Sequence, residues 1–199
     1  MDKEIKQNLI KLEIIKQKIF TAFADVRLVD GIGFWEADAI DDYLSPTDEK
    51  YIIAREKDER EDLRKVYNSL EKFDLEGNYA PYHMDVKGLH FFLPNLLLIG
   101  GRDVADSVLL GLINAEKPEY IELMNLLTLE HKKCIIEYLE YAVDYDDWVK
   151  FYVDHKGQEC HKCGKIHKPE SYTLEQAKAE VESGEEYILL QKVKKHFNL

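Results

Sequence analysis

Cysteine, positive charge and long apolar runs are all scarce in this sequence, and each scarcity excludes a class of protein. Three cysteines in 199 residues, two of them in one CxxC, cannot build a disulfide framework. Lys and Arg number 27 against 39 Asp and Glu, giving a net charge of −12. Proteins that bind free duplex nucleic acid draw their affinity from cations that neutralise phosphates, so no nucleic-acid partner is expected. A basic protein or a metal ion suits this charge better. The longest apolar run, "GLHFFLPNLLLIGG", contains His90, Pro94 and Asn95 and is too short and too polar to span a membrane. The opening stretch "MDKEIKQNLIKLEIIKQKIF" is interrupted by acids and lysines throughout and has no small-residue cleavage site, so it does not read as a secretory signal. These absences predict a cytoplasmic protein. G-x-S-x-G, a Gly-rich phosphate loop and H-E-x-x-H are all missing, as are internal repeats and low-complexity segments.

What is present is helical. Hydrophobic residues make up 45% of the chain, enough for a real core. Ile5, Leu9, Leu12, Ile15, Ile19 and Phe23 recur at spacings of three and four, which predicts a helix over 2–24 with one apolar stripe. After "DGIGF" a short helix is expected over 35–44, stopped at "SPTDE". A long charged helix, capped by Thr47, should then run to about Phe73, with a loop over 74–82. Asp85 is placed to cap a helix that Pro94 should kink or divide and that Gly100 and Gly101 should end. Further helices are expected over 103–114, over 118–126 from Pro118, and over 128–144 capped by Thr128, with Leu129, Ile135, Ile136, Leu139 and Val143 inward. Cys134, beside that stripe, reads as a small semi-buried apolar residue. Thr173 with Gln176 forms a capping box for a helix closed by Gly184, and "EEYILLQKVKKHF" is a final amphipathic helix. The predicted fold is an all-α bundle of six to eight helices. Residues 1–150 form the helical domain, and 151–199 a small Cys/His hairpin insert followed by two C-terminal helices packing on it.

The insert "FYVDHKGQECHKCGKIHKP" concentrates chemistry, holding two cysteines and three of the seven histidines. Two cysteines two residues apart can hold one tetrahedral ion from a tight turn, and Gly164 supplies the residue such turns need after Cys163. The six residues "CHKCGK" resemble the turn known as a zinc knuckle. No second CxxC follows, so histidines must complete the set. His167 lies four residues after Cys163 and His155 five before Cys160, whereas His161 sits between the cysteines and points away more naturally. The candidate ligands are His155, Cys160, Cys163 and His167, for a structural rather than catalytic zinc. A redox pair and an unligated polar loop are the other readings. The redox pair lacks the strand-to-helix context it needs.

The second concentration is acidic. From Phe34 to Asp62 there are eleven acids against four bases, −7 of the total charge. One reading makes Glu36, Asp38, Asp41, Asp42, Asp58, Glu59 and Asp62 a docking surface for a basic protein, such as a nuclease toxin that an acidic helical protein would neutralise. An alternative places Asp38, Asp41, Glu56, Glu59 and Asp62 around magnesium, in the manner of the all-α nucleotide pyrophosphohydrolases. That would make the chain a divalent-metal-dependent phosphohydrolase. A third reading is a solvated helix face, with "EKDERED" alternating charge. His90, beside two phenylalanines, reads as a core histidine.

"GIGFWEADAIDDY", "REKDEREDLRKV" and "MDVKGLHFFLPNLLLIG" resemble, in that order, a bacterial domain-of-unknown-function family. Its pattern pairs a glycine and an EA-x-AID helix with a DE-x-x-DW-like acidic stretch and a G-x-x-F-x-LPA segment. The resemblance spans 1–145. Leu63 stands where the pattern has tryptophan, and Asn95 where it has alanine. It implies that Glu36, Ala37, Ile40, Asp41, Tyr43, Asp58, Glu59 and Asp62 belong to one constellation, and it implies no activity. The function that the residues favour is an acidic interaction protein with a structural zinc.

Overall fold

A computed structural model describes residues 3–70, 79–99, 110, 111, 113, 114, 118–143, 179 and 184–199. Among the described residues there are nine helices and no strand. They are α1 (Lys3–Ala22), α2 (Phe34–Asp41), α3 (Glu49–Lys57), α4 (Leu63–Leu70), α5 (Ala80–His83), α6 (Val86–Ile99), α7 (Pro118–Leu126), α8 (Leu129–Ala142) and α9 (Glu185–Phe197). The all-α expectation holds, but the number of helices exceeds six to eight. The predicted long helix from Thr47 is two helices, α3 and α4, and the expected loop over 74–82 contains the start of α5 at Ala80. The Cys/His insert lies outside the described residues.

The break between α3 and α4 has a local cause. Asp58 leaves the helical region, with ψ 122°, because its side chain is used elsewhere in the fold. Asp62 then restarts the chain as a helix. Its Oδ1 accepts the backbone N–H groups of Arg64 at 2.9 Å and Lys65 at 3.4 Å, and its carbonyl accepts that of Val66. Thr47 is not the cap of α3. Asp48 occupies that position, and Thr47 bonds to Ser45 instead. Asp85 caps α6 as predicted, its Oδ1 accepting from Gly88 N–H at 2.8 Å. Pro94 does not divide α6, which runs unbroken to Ile99.

Thr128 also caps as predicted, and its partner completes the motif. Thr128 Oγ1 accepts the His131 N–H, while His131 Nδ1 accepts the Thr128 N–H. This is a capping box with histidine in the place of the usual Glu or Gln. The other ring nitrogen, Nε2, donates to the Ala22 carbonyl at 3.0 Å, which places the proton there.

Two compact units divide the chain: Glu13–Ile135, and Met1–Leu12 with Ile136–Leu199. In the first, α2 packs on α3 and α5, and α6 packs on α4 and α7. Its core is aromatic and leucine-rich, with Phe23, Phe34, Phe91, Leu93 and Leu97 fully buried. At about 25 cal/mol per Å² of apolar area, such side chains supply most of the folding drive. The α1 stripe holds at Ile15, Ile19 and Phe23, while Ile10 and Ile14 face solvent. In the second unit Ile136, Leu139, Leu189, Leu190, Val193 and Phe197 are buried, and Lys194 pairs with Glu140. Leu129, expected inward, is exposed in the first turn of α8. Cys134 is buried, in line with its reading as a small core residue.

Candidate functional site

The acid-rich segment sorts its carboxylates into two kinds. The first kind is internal. Asp58 is buried and sets both carboxylate oxygens at the start of α2, accepting from Trp35 N–H at 2.9 Å and Glu36 N–H at 3.1 Å. These amides are orphan donors of a helix whose own cap residue, Gly33, has no side chain to offer. Gly33 is glycine because Asp58 needs the space: a Cβ there would lie 2.1 Å from the Asp58 Cγ. Burial pushes the Asp58 carboxyl up to about 6, against the pull of the two amides and Arg60.

Glu36, buried one turn into α2, receives the Tyr51 hydroxyl at 2.6 Å. Arg55 Nε and Arg60 Nη2 each stand 3.7 Å from its oxygens. Burial, then the bond to Glu36, lifts the Tyr51 phenol to about 12. Arg60 also donates through Nη1 to the carbonyls of Val29 at 2.8 Å and Gly31 at 3.2 Å, while its own carbonyl accepts the Leu28 N–H. One arginine thereby ties the 28–31 turn to the 58–60 segment and to α2.

The second kind is at the surface. Asp42, Glu49 and Glu56 are exposed, and none makes an ion pair among the described residues. Between the two kinds are half-buried acids with local work. Asp41 faces His83 Nε2 at 3.1 Å, Glu59 accepts the Glu61 and Asp62 N–H groups, and Asp62 caps α4. Asp38 is half-buried on α2. Of the seven acids expected to form one surface, the structure therefore puts Glu36 and Asp58 inside, Asp42 outside and four at the boundary. Among the described residues no group of three or more His, Cys, Asp or Glu side chains is placed to hold a metal ion. His155, Cys160, Cys163 and His167 lie outside the described residues. No described helix is long and apolar enough to cross a membrane.

Tyr43 carries a signal that sequence reasoning did not read. It follows α2 with φ 60°, and the Leu44 N–H bonds to the Ala39 carbonyl while the Tyr43 N–H bonds to that of Ile40. These bonds define a Schellman turn, in which the left-handed residue is usually glycine because a Cβ is penalised there. The end of α9 makes the same turn with Asn198 at φ 56°. At α2 the position holds a tyrosine that is 96% exposed. A helix stop at "DDYLSP" with no Gly or Asn was the legible clue.

His90 is a core histidine. Its ring meets Phe23 edge-on, His131 lies 5.4 Å away, and burial lowers it to about 4. His131, stacked on Phe23 at 3.9 Å, is also lowered by burial.

Residues 11–156 match a family of unknown function (DUF6714), and the chain belongs to that family. No curated protein and no solved structure matches the chain.

Proposed function

Since membership of this family assigns no activity, we propose from the residues that the chain is an acidic interaction protein. It docks a basic protein through the α2–α3 region and carries a structural zinc in its Cys/His insert. A toxin-neutralising role is the concrete form of this reading. The observation that carries it is Tyr43. A 96% exposed aromatic held in a left-handed turn costs roughly 1 kcal/mol relative to glycine, and no packing among the described residues offsets that cost. Strain kept at an exposed aromatic points to a task outside the fold. Tyrosine is enriched at the centres of protein interfaces, where its flat ring fills a partner's pocket at low entropic cost. The exposed carboxylates of Asp42, Glu49 and Glu56 supply long-range attraction for a positive surface, and Asp38, Asp41, Glu59 and Asp62 border them. Glu36 and Asp58 contribute indirectly, by fixing α2.

The zinc reading rests on the donor set: His155, Cys160, Cys163 and His167 are the residue types and number of a closed tetrahedral site. It would hold the insert's shape and has no part in docking.

The test is titration of the purified chain with a basic protein first recovered from the source cells and then purified itself. A one-to-one complex is expected, weakened by salt and by the D42N/E49Q/E56Q variant. A complex indifferent to both, or magnesium-dependent turnover of nucleoside triphosphates lost in D41N, would overturn the reading.

A further inference from the structure

Away from the exposed acids of α3, the unit Glu13–Ile135 holds a cavity of about 200 Å³ whose wall includes Tyr82, His83, Met84, Asp85, Glu119 and Tyr120. Among the described residues the remaining lining is aliphatic, Ile32, Pro81 and Leu89, with no lysine or arginine. Two carboxylates, with no lysine or arginine among the described lining residues, favour a positive charge inside. The two acids differ in duty. Asp85 Oδ1 is committed to the Ile32 and Gly88 N–H groups, whereas Glu119, in the first turn of α7, makes no ion pair or hydrogen bond among the described residues. His83 is steadied by Asp41 through Nε2.

We propose that this cavity is a binding site for a small organic ammonium ion, with Glu119 as the charged partner and the rings of Tyr82 and Tyr120 against its alkyl stem. The chemistry of the wall selects this class. A bare metal ion needs oxygen or nitrogen donors that converge on one point, and His83, Asp85 and Glu119 do not do so. An anion meets two carboxylates and no lysine or arginine among the described lining residues. A neutral apolar molecule leaves the Glu119 carboxylate without a partner among the described residues. An ammonium group on a short alkyl chain answers each surface. Its charge meets Glu119, its methylenes meet Met84 and the tyrosine rings, and its positive end is favoured near a ring face. The volume suits a ligand of fewer than about ten non-hydrogen atoms.

This inference is independent of the docking role, because its charged group lies on α7 and not among the acids of 34–62. The test titrates the full chain with 1,4-diaminobutane in about 0.15 M salt, which screens adventitious surface binding. Affinity is read by calorimetry and location by the proton resonances of Tyr82, His83 and Tyr120. One saturable site is expected, with those resonances shifted. E119Q should weaken it about tenfold or more, because a charge-assisted hydrogen bond is lost, while thermal stability stays unchanged. The D42N/E49Q/E56Q variant should bind the diamine as the native chain does. Equal binding of butane-1,4-diol, unsaturable binding, or full affinity in E119Q would overturn the proposal.

Discussion

At the scale of single residues, this chain uses charged groups as fixtures. Asp58 is the clearest case, because its carboxylate substitutes for the side chain that Gly33 lacks. Its pH dependence has a definite sign. The carboxyl titrates near 6 in the fold against an ordinary 3.8, so the folded state holds the proton to higher pH than the unfolded chain does. The Asp58 contribution therefore favours folding at about pH 4, is lost as pH rises to about 6, and is constant above that. The shift corresponds to at most about 3 kcal/mol. Urea unfolding at a series of pH values should show this slope in the native chain and lose it in D58N. Gly33→Ala should be costly, because its Cβ evicts the carboxylate from both amides. A loss of roughly 2–4 kcal/mol is expected in the same assay. The acids of α2 and of the 56–62 stretch were legible as one group in the sequence, since their density and spacing are local properties. Which of them turn inward was not. That depends on Tyr51, Arg55 and Arg60 meeting Glu36, and periodicity carries no information about such pairings.

At the scale of helices, local signals succeeded where the cap and the helix are neighbours and failed where a side chain serves a distant element. Asp85, Thr128 and Pro118 mark starts that can be read within four residues. The α3–α4 break could not be read that way. "EKDEREDLRKV" is a good helical sequence, and it is interrupted because Asp58 is drawn to α2, 22 residues earlier in the chain. The same contrast orders two mutations. Asp62→Ala removes a local cap and should cost about 1 kcal/mol. Asp85→Ala removes the cap of α6 and also strands the Ile32 N–H, a long-range bond at 3.0 Å. It should cost roughly 2–3 kcal/mol. Chemical denaturation of both variants side by side tests the order, and equal losses would contradict it. Pro94, expected to kink or divide its helix, does not divide it: α6 stays continuous, with side chains buried from Phe91 to Leu97.

At the scale of the whole molecule, the acids of residues 34–62, which carry −7 of the net charge of −12, have two destinations. Part is held inside the unit Glu13–Ile135 by tyrosine, arginine and backbone amides, and part is displayed around α2 and α3. The all-α class was legible because most helices carry their own apolar stripe or caps. The Cys/His insert lies outside the described residues, and its zinc site is proposed from donor spacing alone, so metal content is its direct measure. Protein purified without a polyhistidine tag should carry about one zinc per chain. Less than about a tenth of an equivalent, with both thiols freely titratable, would contradict the zinc site. In the proposed docking role, the end of α2 offers a strained tyrosine and its acidic neighbours to a partner. The most direct measurement is calorimetric titration of Y43G with the purified basic partner, alongside its thermal melt. Y43G should be more stable by about 1 kcal/mol, melt roughly 2–4 °C higher, and bind at least about tenfold more weakly. A Y43G variant that binds as tightly as the native chain would contradict it.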